Sequence, residues 1–170
     1  FNPYYVLVGQ QLADDHVGMR VTMQYVLWDY FRELGEKHVG GHKVVREDEE
    51  GEEYDVHVGE RLRKLLHMAR AYGYWIARGA LTLLVLKTVD FTALHEAGTL
   101  FLQHLLLHTF LMSQTRLPML TPRARQNLLR APSQVDRERI EQLLVRGTVG
   151  QPRLAQGLFV FCHMHLPRET

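Results

Sequence analysis

An all-α fold, built from about eight helices stacked as antiparallel pairs in the manner of HEAT-like repeats, is predicted for this chain of 170 residues. Two observations predict it. Apolar residues recur at steps of three or four along most of the chain, and proline or glycine marks the ends of the periodic segments. Hydrophobic residues make up 46% of the chain, which is enough to form a globular core.

The first two helices are predicted within residues 2–34. Asn2-Pro3 has the residue types of a helix start. One apolar face of that helix is formed by Tyr5, Val8 and Leu12. Apolar residues between Met19 and Leu34 repeat with helical periodicity, and Gly35 ends the second helix. We expect the two helices to pack as an antiparallel hairpin.

Residues 36–58 interrupt the helical pattern. The segment carries eight acidic and three basic residues, with the acids concentrated between Glu47 and Asp55. Because like charges repel and this segment has little apolar surface to bury, we predict a flexible surface insertion. The alternative is that the acidic segment docks on a basic protein.

Three helices are predicted between residues 60 and 112. Apolar residues form one stripe from Glu60 until Gly79 closes the helix. The segment 81–86 is apolar on nearly all sides, and its short length between helices favours a buried helix over a strand. The helix over 100–112 has a wide apolar surface and is predicted to lie at the centre of the core.

Three more helices are predicted in residues 113–170. Thr121-Pro122 is a helix start and precedes an arginine-rich segment that ends near Pro132. An amphipathic helix follows over 135–147, and Pro152 opens the last one. Gly157 lies inside that helix, where glycine costs about 1 kcal/mol relative to alanine, so a neighbouring helix is expected to approach it closely.

The residues that could carry chemistry predict no enzyme. His104 and His108 are one helical turn apart, and His163 and His165 could add ligands, but the glutamate of the zinc-protease pattern is missing. Cys162 cannot form a disulfide within the chain, which is typical of a reducing compartment, and is expected to pack in the core. We predict no catalytic residue, metal site, cofactor, small-molecule substrate or membrane span.

Two groups of basic residues are candidate RNA contacts. The segment 113–170 contains nine arginines and four acids. Guanidinium groups donate paired hydrogen bonds to phosphate, which provides affinity without sequence preference. The candidates are Arg116, Arg123, Arg125 and Arg130, with Arg61, Arg63 and Lys64 as a second group. No aromatic residue interleaves with the 116–130 group, and ordinary surface arginines are the alternative.

Several segments together resemble the MI (MA-3) domain of nucleolar MIF4G-domain proteins, the suppressor-of-glycerol-defect family. They are Phe1-Asn2-Pro3-Tyr4-Tyr5, the run from Met23 to Leu34 that contains Trp28-Asp29, the run from Leu81 to Phe91, Phe101-Leu102 and Gln156-Gly157-Leu158. The resemblance implies that residues 1–112 are the second half of an MI-type domain, with the insertion at 36–58. Residues 113–170 would be a helical extension packed on it.

The resemblance also implies a function. It predicts a nucleolar scaffold for 18S rRNA maturation in the small-subunit processome, or 90S pre-ribosome, that contacts pre-rRNA and assembly proteins. A DEAD-box helicase related to initiation factor 4A would be a partner, bound through a MIF4G domain, and would hydrolyse the ATP. The alternative is a protein-interaction module of a related protein in splicing or translation control, without RNA contact.

The sequence also predicts that the chain is a piece of a longer protein, because it starts at Phe1. Loss of the first half of the MI domain would leave the apolar side of the first hairpin without its neighbour. Trp28 and Tyr25 are expected to pack in the core or between helices, and Asp29 to cap or pair locally.

Overall fold

The computed structural model describes residues 2–41, 56–115 and 135–166. Within these ranges the chain forms six α-helices, one 3₁₀ helix and no β-strand. They are α1 (Pro3–Asp15), α2 (Val17–Glu33), α3 (Val56–Ala77), η1 (Leu83–Leu86), α4 (Glu96–Ser113), α5 (Arg137–Thr148) and α6 (Pro152–His165). The predicted all-α class is confirmed, whereas the predicted helix at 123–130 lies outside the described residues.

The close packing of α3 on α4 is the centre of the fold. Gly73 of α3 is buried, and a Cβ atom placed on it would lie 2.8 Å from the Cβ of His108 and 3.0 Å from the carbonyl oxygen of Leu105. The two helices can approach this closely because glycine has no side chain at the crossing point. Around it, Tyr72 on α3 belongs to one continuous core with Leu102, Leu105 and Leu106 of α4.

Helix α1 buries a narrow face that includes a glycine and an alanine, and the apolar face predicted from the sequence is exposed. Val6, Gly9 and Ala13 are buried. Tyr5, Val8 and Leu12, which the sequence placed on one face, are 76%, 55% and 41% exposed. The small residues let α1 lie close to α3, and a bulky face could not reach the same distance.

The ends of the predicted insertion at 36–58 are ordered parts of the fold, which corrects its boundaries. The Oε1 atom of Glu36 accepts a hydrogen bond of 2.7 Å from the backbone N–H of His95, just before α4. Glu36 is buried, and Val39 is 2% exposed. A carboxylate at a helix N-terminus is favourable because the first N–H groups of a helix lack partners. Residues 56–58 already belong to α3, and residues 42–55 lie outside the described residues.

Trp28 joins α2 to the segment around η1. Its indole Nε1 donates a hydrogen bond of 2.7 Å to the carbonyl oxygen of Val85. The short buried helix predicted in this segment is present as the 3₁₀ helix η1, and the alternative of a strand is wrong. Trp28 is buried as predicted, whereas Tyr25 is 55% exposed and its ring stands nearly perpendicular to that of Trp28. Asp29 pairs locally with Arg32.

Two glycines allow α5 and α6 to pack closely against η1 and the segment that follows it. A Cβ atom on Gly147 of α5 would lie 2.6 Å from the Cβ of Leu83 in η1. Gly157 of α6 packs against the ring of Phe91. The close approach predicted at Gly157 is therefore present, but the neighbour is an aromatic ring between η1 and α4 and not a helix.

We expect Gly73→Ala to lower the free energy of unfolding by about 1–3 kcal/mol, because the added methyl group has no space between α3 and α4. Gly59→Ala is the matched control on the same helix, since nothing lies within 4 Å of its Cβ position. It should raise the free energy of unfolding by up to about 1 kcal/mol through helix propensity. Urea unfolding of both variants measures the difference, and equal stabilisation by both would contradict the proposed crossing.

Two buried tyrosines should make the fold sensitive to alkali. Burial, with a contribution from Glu33, raises the pKa of Tyr30 to about 12. Burial also raises the pKa of Tyr72, whose hydroxyl donates a hydrogen bond of 2.7 Å to the carbonyl oxygen of Met23. The unfolded chain has tyrosine pKa values of about 10, so the folded state holds these protons more tightly.

The contribution of these tyrosines to stability is therefore fully present below about pH 10 and is lost as the pH rises through about 12. Tyr30→Phe should reduce the loss of stability between these pH values, measured by urea unfolding at several alkaline pH values. Tyr4→Phe is the control, because Tyr4 is 74% exposed. If Tyr30→Phe and wild type lose stability in parallel, ionisation of Tyr30 does not contribute.

Candidate nucleic-acid interface

The structure describes three of the seven predicted RNA-contacting residues. Arg61, Arg63 and Lys64 lie in the first turns of α3 and are exposed. The candidates Arg116, Arg123, Arg125 and Arg130 lie outside the described residues, so their prediction stays as it was made. Among the described residues, the predicted RNA contacts therefore lie near the start of α3.

Lys64 is already engaged with α2. Its Nζ atom lies 2.6 Å from Oε1 of Glu33, and it stands 5.3 Å from the centroid of the Tyr30 ring. The two charged side chains are about half exposed, at 52% and 47%. Part of the positive charge of Lys64 is therefore neutralised, and Arg61 and Arg63 are better placed to attract an external anion.

A groove between α1 and α3 brings basic and aromatic side chains together. Its volume is about 570 Å³. The residues that define it are Tyr5, Val6, Arg63, Lys64, His67 and Trp75. Glu60 and further apolar side chains also line the groove. An aromatic ring beside a guanidinium group can stack on a nucleobase while the charge meets a phosphate.

The groove is held in shape by contacts of Trp75. Its indole Nε1 donates a hydrogen bond of 2.9 Å to the carbonyl oxygen of Val6 in α1. A Cβ atom on Gly9 would lie 2.8 Å from Cζ2 of Trp75, so only glycine allows α1 to rest on this ring. The start of α1 is capped by Asn2, whose side chain accepts a hydrogen bond from the backbone N–H of Tyr4. Tyr5 therefore lies in the capped first turn of α1.

His67 contributes a neutral group to the groove. Burial lowers the pKa of His67, and the positive charges of Arg70 and Arg63 lower it further. The shift favours the uncharged imidazole at neutral pH, because the ordinary histidine pKa is already about 6.5. The positive charge of the groove lining therefore comes from Arg63 and Lys64, with Glu60 as an acidic neighbour in the same lining.

The sequence did not show that aromatic residues accompany these basic ones. Tyr5 and Trp75 are far from Arg63 in the chain, and only the packing of α1 on α3 brings them beside it. The signal available was the Tyr4-Tyr5 pair directly after a helix cap, where large apolar side chains are exposed.

The histidines and the cysteine do not assemble into a metal site within the described ranges, where no group of three metal-binding side chains is found. His104 and His108 lie with their rings stacked at 6.4 Å between centroids. His163 lies against Phe159, and His165 lies against Phe161. Burial raises the pKa of the Cys162 thiol, which makes it a weaker nucleophile. Absence of enzyme activity stays a prediction.

None of the helices in the described part of the chain is long and apolar enough to cross a membrane.

The described residues form an all-helical protein with a groove on its surface. Part of the chain is similar to a known protein. Suppressor of glycerol defect protein 1 of Schizosaccharomyces pombe is 28% identical over 102 residues, which are 60% of this chain and 11% of that protein. The chain therefore spans about a ninth of its length. This partial similarity supports a relationship to the suppressor-of-glycerol-defect proteins, and the assignment to an MI domain stays a prediction.

No protein-family profile matches the chain, and no solved structure matches it.

Lys64→Ala should lower the free energy of unfolding by less than about 1 kcal/mol, because exposed ion pairs contribute little. A double-mutant cycle with Glu33→Ala, followed by thermal unfolding, should give a coupling energy of about 0.2–1 kcal/mol. A loss above about 2 kcal/mol would make Lys64 a structural residue and remove it from the candidate contacts.

Proposed function

We propose that this chain is part of a non-catalytic scaffold for assembly of the small ribosomal subunit, acting in the nucleolus during 18S rRNA maturation. Its contribution would be a surface that contacts pre-rRNA and assembly proteins. The observation that carries the RNA contact is the groove in which Arg63 and Lys64 stand beside Tyr5 and Trp75. The sequence resemblance to nucleolar MIF4G-domain proteins supports the assembly role.

The finer assignment is also a proposal. Residues 1–112 would be the second half of an MI-type domain, and the helices would stack as HEAT-like pairs. The contacts of α2 with α3 are compatible with such pairs: Glu33 at the end of α2 meets Lys64 near the start of α3, and Met23 meets Tyr72 near the end of α3, as in antiparallel neighbours. A DEAD-box helicase related to initiation factor 4A would bind elsewhere in the full-length protein.

A second candidate is a protein-interaction module without RNA contact. The exposed apolar stripe of α1 favours it, because Tyr4 and Tyr5 are 74% and 76% exposed on an ordered helix. Exposed aromatic side chains of this kind are enriched at protein interfaces. In this account, α1 would bind a helix of an assembly protein or a helicase.

The two candidates differ in their response to salt. Binding through phosphate contacts weakens steeply as salt increases, whereas an apolar interface responds little.

The experiment is crosslinking and sequencing of RNA bound to the full-length protein in cells, comparing wild type with Arg61→Glu/Arg63→Glu. Lys64 is left unchanged because of its contact with Glu33.

We expect the Arg61→Glu/Arg63→Glu variant to lose most crosslinks to 18S precursors. With purified protein, the slope of log affinity against log salt should fall by about two, one for each lost phosphate contact. Lys37→Glu/Lys87→Glu is the control, since both lysines are exposed, lie outside the groove and change the charge equally. Absence of pre-rRNA crosslinks in wild type would refute RNA contact and favour the interaction module.

A further inference from the structure

The groove between α1 and α3 has the shape of a site for a strand. Along α3 its lining extends from Glu60 to Trp75, so the groove is elongated. Its volume of about 570 Å³ is in the range of small-ligand sites and is large enough for one nucleotide. An extended chain can therefore lie along the groove with one of its units inside it.

Charge alone gives this groove little affinity for RNA. Lys64 lies 2.6 Å from Glu33, and Glu60 stands in the same lining as Arg63. Burial, followed by neighbouring positive charges, lowers the pKa of His67, which favours its neutral form. Attraction to the RNA backbone grows with the number of phosphates that a protein neutralises, and Arg63 can meet only one or two of them. The remaining affinity has to come from contacts with the bases.

Tyr5 provides an aromatic ring for such contacts. It lines the groove and is 76% exposed, so a base can stack on the ring without displacing protein atoms. The turn that carries it is capped, because Oδ1 of Asn2 accepts a hydrogen bond of 3.0 Å from the backbone N–H of Tyr4. A tyrosine side chain has two χ angles, so ordering it against a ligand costs little entropy. Tyr5 is therefore a preformed platform for stacking.

Trp75 has a different role in the groove. Its indole Nε1 donates a hydrogen bond of 2.9 Å to the carbonyl oxygen of Val6, and its ring meets the ring of Tyr72 edge to face with 5.0 Å between centroids. These contacts fix the indole as part of the wall. Together with Met68 and Ala71 it gives the groove an apolar lining. Such a lining favours the flat, weakly hydrated face of a base over water.

A nucleobase can offer its face to a protein only when it is unpaired. In a duplex, each base is covered by its neighbours in the stack and its hydrogen-bonding edge is paired, whereas the bases of single strands, loops and bulges can turn outward onto aromatic side chains. A groove that relies on an exposed ring and on few phosphate contacts therefore discriminates against duplex RNA.

We propose that the groove binds an unpaired nucleotide of single-stranded RNA, with its base stacked on the ring of Tyr5 and an adjacent phosphate at Arg63. The proposal rests on the proposed function in its choice of RNA as the ligand. It adds the form of RNA that the site selects and the residue that makes the selection. Stacking is tolerant of base identity, so the site selects unpaired RNA without a strong sequence preference.

The experiment measures fluorescence anisotropy of the full chain with a labelled RNA of about 12 nucleotides, first as a single strand and then annealed to its complement. Tyr5→Leu removes the ring and keeps an apolar side chain. Tyr4→Leu is the matched control, because Tyr4 is in the same turn, is 74% exposed and does not line the groove. Tyr5→Phe keeps the ring without its hydroxyl group. None of the three substitutions changes the charge at neutral pH, and thermal unfolding should be little changed because both tyrosines are exposed.

We expect wild type to bind the single strand at least about tenfold more tightly than the duplex, since the duplex cannot stack a base on the protein. Tyr5→Leu should weaken binding of the single strand about tenfold relative to Tyr4→Leu and leave binding of the duplex unchanged. Tyr5→Phe should bind the single strand as wild type does. Equal effects of Tyr5→Leu and Tyr4→Leu, or equal affinity of wild type for the two forms of RNA, would overturn the proposal.

Arg61→Glu/Arg63→Glu separates the failure of this proposal from the failure of the proposed function. Equal binding of single strand and duplex that is lost in this variant leaves the RNA contact of the proposed function standing and overturns the unpaired nucleotide. Binding of neither form by wild type overturns both, and it favours the protein-interaction module in which α1 meets another protein.

Discussion

The contact between Gly73 of α3 and the backbone of α4 is the constraint on which the other features depend. It brings two helices of 22 and 18 residues into close packing along one core. A helix of 22 residues is about 33 Å long, and Gly73 lies about one turn before its end, so most of α3 extends from the crossing toward its start. Its first turns carry Arg63 and Lys64 beside α1, and Trp75 lies near its end. One packed helix thus carries basic and aromatic residues of the groove and fixes the distance between them.

Glycines also allow close packing of α1, α5 and α6 against their neighbours. Gly9 lets α1 rest on Trp75, Gly147 lets α5 rest on Leu83, and Gly157 accepts the ring of Phe91. In each case a backbone meets a large side chain where a methyl group would already be too close. Dense packing of this kind fixes the orientation of the helices that carry the exposed groups. The functional proposals therefore depend on glycines that lie away from any ligand.

The helix boundaries of this chain could be predicted because they depend on local chemistry. Asn2-Pro3 starts α1, Gly35 follows the end of α2, and Pro152 starts α6, each through the backbone groups of one turn. The buried face of α4 could not be predicted in the same way. That helix is apolar almost all round, and its neighbours bury Leu102 and Leu106 while Leu107 remains 40% exposed. Periodicity cannot choose a face when nearly every face is apolar.

The sequence by itself determined the all-helical class, most helix ends, and the basic residues at the start of α3, because these follow from local periodicity and residue type. Only the tertiary structure decided that Tyr5 and Trp75 line one groove with Arg63. Such groupings join residues tens of positions apart. They depend on how closely two helices can approach, and that distance is set by packing at glycines and by contacts such as Glu36 with the start of α4.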